Sequence, residues 1–178
     1  MTKKTAALSA QLISVDGIDP AAILVEARLA LGTGRRGGIS RWDSSGVFEE
    51  LAVADEAAGA PSPRTLLLLY AADLAFRLRW QIRPALAEGR TVVAAPYVDT
   101  AIAFGRAAGL KPAWLENLFS FAPRAKRRRF AHARDRRLAA VKHGFVGFSC
   151  LQMIGGISGR TRRQIMEETA KQLLRLDR

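Results

Sequence analysis

Leu12-Ile13-Ser14-Val15-Asp16-Gly17-Ile18-Asp19-Pro20-Ala21-Ala22-Ile23-Leu24 carries the first architectural signal of this 178-residue chain. Leu12 to Val15 is a short apolar run that reads as a buried strand, closed by a tight turn at Asp16-Gly17. Ala21 to Leu31 then has helical composition, with Gly32 placed to cap it. Outward from this unit the same alternation continues. Ile39 to Trp42 reads as a second short strand, and residues 47–58 as a helix broken by Gly59-Ala60-Pro61-Ser62-Pro63. The longest helix is expected from Pro63 to Ala87, kinked at Pro84 and closed by Gly89. Thr91 to Ala94 is a β-branched, apolar central strand. Helices are expected from Thr100 to Gly109 and from Pro112 to Phe119. Beyond Pro123 the expected elements are a strand over 128–133, a helix over 135–141, a strand over 145–154 and a final helix over 158–176. Strands alternating with helices imply an α/β fold, a parallel sheet with helices on both faces. Ligands in such sheets sit beyond the carboxyl ends of the strands, here Asp16-Gly17, Trp42-Asp43 and Ala95-Pro96-Tyr97.

Length and composition set the frame. One domain over 1–178 is expected, long enough to bury a core without disulfide or metal staples. No stretch approaches the roughly 18 consecutive apolar residues of a membrane span, and Met1 to Ala10 lacks the apolar core of a signal peptide. The single Cys150 excludes an internal disulfide, and with only His132 and His143 beside it no Cys/His metal site is expected. The expected setting is reducing and cytoplasmic.

Charge is uneven. Residues 1–110 hold 12 Lys/Arg against 11 Asp/Glu, a net of +1, whereas residues 111–178 hold 16 against 5, a net of +11. The densest run, Arg124 to Arg137, has eight basic residues and one acid, Asp135. Its plain reading is an Arg-rich solvated surface. Its functional reading is a site for phosphates, nucleic acid or an acidic partner, centred on Arg127, Arg128 and Arg129.

A strand, a glycine and a helix also mark where a phosphate-binding loop belongs, with the pattern Gly, four residues, Gly, Lys, Ser or Thr. Gly17 supplies the first glycine. Ala22 stands for the second, Ile23 for the lysine and Leu24 for the hydroxyl, while Pro20 removes one backbone N–H. The lysine would neutralise β/γ-phosphates and the hydroxyl would hold Mg²⁺. Ile and Leu do neither.

Together with three segments further along the chain, this turn resembles the thymidylate kinase family. Thr65-Leu66-Leu67-Leu68-Leu69-Tyr70-Ala71-Ala72-Asp73 is similar to the family stretch that runs to Ala-Ala-Asp-Arg. Ile82-Arg83-Pro84-Ala85-Leu86-Ala87-Glu88-Gly89 resembles its Ile-x-Pro-Ala-Leu-x-x-Gly, and Val92 to Thr100 falls where a strand ends in Asp-Arg-Tyr. The likeness runs from about Leu12 to Phe121 and is weak after Pro123. It implies a three-layer P-loop kinase-like fold, a nucleotide ligand with ATP and Mg²⁺, and a homodimer packed through helices such as Thr65 to Trp80. It further implies that Asp19 lies near the acceptor nucleotide, that Arg41 takes the place of the Arg in a Thr-Arg-Glu-Pro turn, and that Tyr70 stacks on the base. Tyr97 alone survives from Asp-Arg-Tyr, because Ala95 and Pro96 replace its first two residues. Leu74 replaces the acceptor-side Arg, and Phe104-Gly105 replace a Tyr-Gln pair. Arg124 to Arg137 lies near the arginine-bearing lid of such kinases, and it equally aligns with a strand and helix ahead of a shortened lid.

Phosphoryl transfer is mostly positioning and charge neutralisation, and losing one such element can cost several orders of magnitude, as with an arginine finger at about 10³–10⁵ in rate. With four replaced, the leading expectation is a kinase-fold protein without ordinary kinase activity, acting as a nucleotide-related binding or regulatory protein. Two alternatives stand beside it. One is an active nucleoside monophosphate kinase with a rearranged site built on Asp19, Arg41, Tyr70 and Tyr97. The other is nucleic-acid or polyanion binding through the basic C-terminal third. Plain structural readings are also open: Tyr70 as core, Trp80 and Trp114 as packing or interface residues, Cys150 as an inert buried thiol. Asp73 is expected as a helix-surface or capping residue. Asp19 and Tyr97, both at strand carboxyl ends, stand above their plain readings.

Overall fold

The computed structural model describes residues 10–42 and 62–131, with Glu168, Thr169, Lys171 and Gln172. The elements expected over 47–58, 135–141 and 145–154, most of 158–176, and His132, His143 and Cys150 lie outside the described residues. In chain order come β1 (Gln11–Gly17), α1 (Pro20–Leu31), β2 (Gly37–Arg41) and α2 (Pro63–Arg77). A π-helical turn (Leu78–Ile82) leads into α3 (Arg83–Ala87), β3 (Thr91–Ala95), α4 (Val98–Ala107), α5 (Pro112–Leu118) and β4 (Arg127–Ala131).

The four described strands form one parallel sheet in the order β2-β3-β1-β4. Ile13 lies opposite Val93 on one side, and Val15 opposite Arg129 on the other. The connection from β1 to β2 through α1 passes over β3, and that from β3 to β4 through α4 and α5 passes over β1 in the other direction. Right-handed crossovers running opposite ways place their helices on opposite faces. Side chains agree: a Cβ on Gly17 would meet Ile23 of α1, whereas its neighbour Asp16 bonds to Thr100 of α4. The expected three-layer α/β architecture is therefore the observed one.

Local chemistry explains most boundaries. Asp19 caps α1, Gly32 ends it at φ 69°, and Ser62 caps α2 by accepting the Thr65 N–H at 3.2 Å, with Pro63 opening the helix. The long helix departs from expectation. It does not bend at Pro84 alone, since its α-geometry stops at Arg77 and one π turn intervenes. Pro84 has no N–H to donate and its ring would collide with the carbonyl four residues back. The turn before it widens so that the Arg83 N–H reaches the Leu78 carbonyl, five residues earlier.

The core joins Ile13, Val15 and Val93 of the sheet to Leu66, Leu67, Tyr70 and Leu74 of α2 and Phe104 of α4. Gly105 lets α4 approach its neighbours: a Cβ there would collide with Leu115 Cδ2 and come within 2.9 Å of Leu67 Cδ1. Gly105→Ala is therefore expected to cost about 1–3 kcal/mol by overpacking, seen as a lower urea midpoint with an unchanged slope.

Candidate functional site

The carboxyl end of β1 is the natural place to look for a phosphate site, and its turn is short. Only Ile18 and Asp19 separate Gly17 from the first residue of α1. Asp19 accepts the Ala21 N–H at 2.9 Å and the Ala22 N–H at 3.4 Å on one carboxylate oxygen, and its carbonyl accepts the first helical N–H from Ile23. The helix N-terminus thus has an anion of its own on the N–H groups that would otherwise face a ligand. Ile23, in the lysine position, is buried in the core. Gly17 is needed for packing, because a Cβ there would sit 2.9 Å from the Ala131 carbonyl oxygen and 3.1 Å from Ile23 Cγ1. The turn offers a magnesium–nucleotide neither ammonium nor hydroxyl, and its residues do not fit that group.

One residue back, Asp16 is fully buried. Its Oδ1 accepts from the Tyr97 N–H at 2.9 Å, the Thr100 N–H at 3.0 Å and the Thr100 hydroxyl at 2.9 Å. The Thr100 hydroxyl in turn accepts the Gly17 N–H at 3.1 Å. Asp16 therefore pins the entry of α4 to the end of β1. Its Oδ2 has no hydrogen-bond partner among the described residues. Burial, then the negative charge of Asp99, push this carboxyl up to about 7 against the bonds from Thr100 and Tyr97.

Tyr70 is also fully buried. Trp42 stacks on its ring, with centroids 4.3 Å apart and planes 18° apart, and Phe119 meets it edge-on at 5.9 Å. Its hydroxyl donates to the Tyr97 carbonyl. The Tyr97 hydroxyl donates to the Pro123 carbonyl at 2.8 Å. Burial raises both phenols, Tyr97 to about 12, so both are donors rather than bases at neutral pH. Beside them Arg77 and Asp73 form a fully buried ion pair at 2.8 Å. Arg77 Nη1 donates to the Pro96 carbonyl at 3.2 Å and reaches the Ser40 carbonyl at 3.5 Å, while Nη2 has no partner among the described residues.

No protein-family model matches the chain, and no curated protein matches it. A solved structure, thymidylate kinase from Ehrlichia chaffeensis, superposes with a TM-score of 0.65 at 13% identity, covering 94% of this chain and 81% of that one. The fold is that of a thymidylate kinase.

Within this kinase fold the residues singled out from sequence do not gather into one cluster. Gly17 and Asp19 form the β1–α1 turn, and Arg41 is exposed at the end of β2. Tyr70 and Tyr97 meet in the core. Of the basic run, Arg128 pairs with Asp99 at 2.7 Å and Arg129 with Glu26 at 2.6 Å, while Arg127 is exposed on β4. Asp73 is not a surface or capping residue. It is enclosed because the α2 face that carries it packs inward, where Arg77 one turn later neutralises it. Trp80 is 63% exposed, so it is not a core residue. Trp114 packs partly on the core beneath the Arg64 guanidinium, 5.1 Å from its ring centre.

Sequence reasoning missed Asp16, Thr100 and Arg77. Asp16 sits in an apolar strand, and a carboxylate there is a signal in itself, since buried acids require dedicated donors. Asp73 and Arg77 stand four apart on a helix, a spacing that places them together.

Proposed function

We propose that this chain is a thymidylate-kinase-like protein that does not carry out ordinary phosphoryl transfer and serves as a binding or regulatory protein. The observation behind this reading is the Asp19 carboxylate on the α1 N–H groups, in a turn two residues long, with Ile23 buried where a lysine would stand. Two further features favour it. The Trp42 indole already covers one face of Tyr70, and Leu115 closes against Gly105.

Purified protein with ATP, Mg²⁺ and thymidine monophosphate is expected to give no turnover above a no-enzyme control. Ile23→Lys is expected to leave turnover at zero and to lower stability, because it buries an ammonium. Turnover that Asp19→Ala and Tyr97→Phe abolish would refute the reading.

One observation favours an active kinase with a rearranged site. The Arg77 guanidinium reaches the Pro96 carbonyl, beside the position where the resemblance has an arginine. Its full enclosure and its pairing with Asp73 weigh against a role on substrate. Polyanion binding through Arg127, Arg128 and Arg129 has less support, since two of the three already hold carboxylates. A homodimer has support in the exposed Leu68 and Phe76 of α2 and the exposed Trp80 of the π turn that follows it. Light scattering tests it. Among the described residues no helix is long and apolar enough to cross a membrane. A cytoplasmic location belongs to this reading and rests on the reducing environment expected from the cysteine content.

A further inference from the structure

A cleft of about 370 Å³ opens between the start of α4, the segment 119–125 after α5, and the β1–β4 side of the sheet. Neither the β1–α1 turn, nor Arg41, nor Tyr70 lines it. Its volume falls in the range of small-molecule sites, which are mostly apolar with a few placed polar groups. Val98, Phe119, Ala122 and Ala125 supply the apolar walls. Ser14 lies beside Arg128 in the strand register, and both line the cleft. The Tyr97 hydroxyl bond to the Pro123 carbonyl ties one wall to the other.

The charges at this cleft are unequal. Arg128 gives both Nε and Nη2 to Asp99 Oδ2, at 2.9 and 2.7 Å, so that pair is neutral. Arg124 makes no ion pair among the described residues and lines the same cleft. An apolar slot with one uncompensated guanidinium matches a compact apolar molecule that carries one anionic group.

We propose that this cleft binds a small aromatic or aliphatic anion, a carboxylate or phosphate monoester, with its apolar body against Phe119 and Val98 and its charge on Arg124. The site is separate from the β1–α1 turn, so it stands whether or not the chain transfers phosphoryl groups.

The test is an amide-resolved NMR titration of the full chain with phenyl phosphate, benzoate and neutral benzyl alcohol. At least one anion is expected to shift the amides of Phe119, Ala122 and Ala125, binding about tenfold or more tighter than benzyl alcohol. The stronger of the two tells which anionic group is preferred. Arg124→Gln, an exposed change, is expected to weaken that anion about fivefold or more and to leave benzyl alcohol unchanged. Lys111→Gln removes the same charge outside the cleft and is expected to leave the anion's affinity unchanged. Three results would overturn the site: no shifts at about 10 mM ligand, equal binding of the neutral probe, or equal weakening by Arg124→Gln and Lys111→Gln. Kinase assays bear on phosphoryl transfer alone, so the two proposals fail independently.

Discussion

Arg77→Met is expected to destabilise the protein by about 3–5 kcal/mol, a large part of the roughly 5–15 kcal/mol that holds a domain together. The cause is the partner left behind. Asp73 is fully buried, and its ion pair with Arg77 balances its charge. Arg77 also donates to the Pro96 carbonyl and approaches that of Ser40, so its removal costs the ends of β2 and β3 a shared donor. The double variant Asp73→Leu with Arg77→Met removes both charges and fills the space with apolar atoms. It is expected to recover most of the loss, because buried pairs replaced together by apolar residues are often neutral or better. Urea unfolding measures both. An Arg77→Met protein that fails to fold, beside a double variant that folds, gives the same answer. A single-variant loss under about 1 kcal/mol would contradict it.

The second large effect is a dependence of stability on pH through Asp16. The folded carboxyl is raised to about 7 from an ordinary 3.8, first by burial and then by Asp99. Between these values the native state holds a proton that the unfolded chain releases, so stability falls as pH rises through the window. The loss is complete above about 7. From pH 5 to 8.5 the expected decline is about 3 kcal/mol. Its structural origin is Oδ2, which has no donor among the described residues to stabilise the charged form, whereas Oδ1 accepts three bonds in either state. Asp16→Asn imitates the protonated acid and is expected to remove this decline, becoming more stable than the parent at pH 8.5. Asp99, Tyr70 and Tyr97 act electrostatically with Asp16. Every other titratable group is common to both proteins, so the difference between the two curves isolates Asp16. Parallel curves would contradict the assignment.

Both predictions rest on charged residues whose burial the hydrophobic pattern alone does not announce. The strands around Leu12 to Val15, Ile39 to Trp42 and Thr91 to Ala94 were legible because a buried parallel strand writes itself as a short apolar run between turn residues. Helix starts at Ser62-Pro63 and Lys111-Pro112, and stops at Gly32 and Gly89, were legible for the same local reason. The π turn was not, because it reconciles Pro84 with a helix that continues past it. Tyr70 and Tyr97 were legible as residues of interest, but not as partners of each other, since their hydrogen bond spans 27 positions. Asp19 was legible as a carboxylate at the right place, but its task as a helix cap depends on where α1 begins.

By itself, then, the amino-acid order determined the alternation of strand and helix, the parallel sheet this alternation implies, and that Ile23 and Leu24 rather than a lysine and a hydroxyl follow Gly17 at phosphate-loop spacing. These are local matters of side-chain type and spacing. Only the tertiary structure decided that the β1–α1 turn is closed by its own carboxylate, that Trp42 covers Tyr70, and that Asp16, Asp73 and Arg77 are buried ionisable groups. A carboxylate or guanidinium has no fixed energy in a sequence. Its cost and its task are set by the groups that packing brings around it, and for Asp16 those groups lie more than 80 positions away.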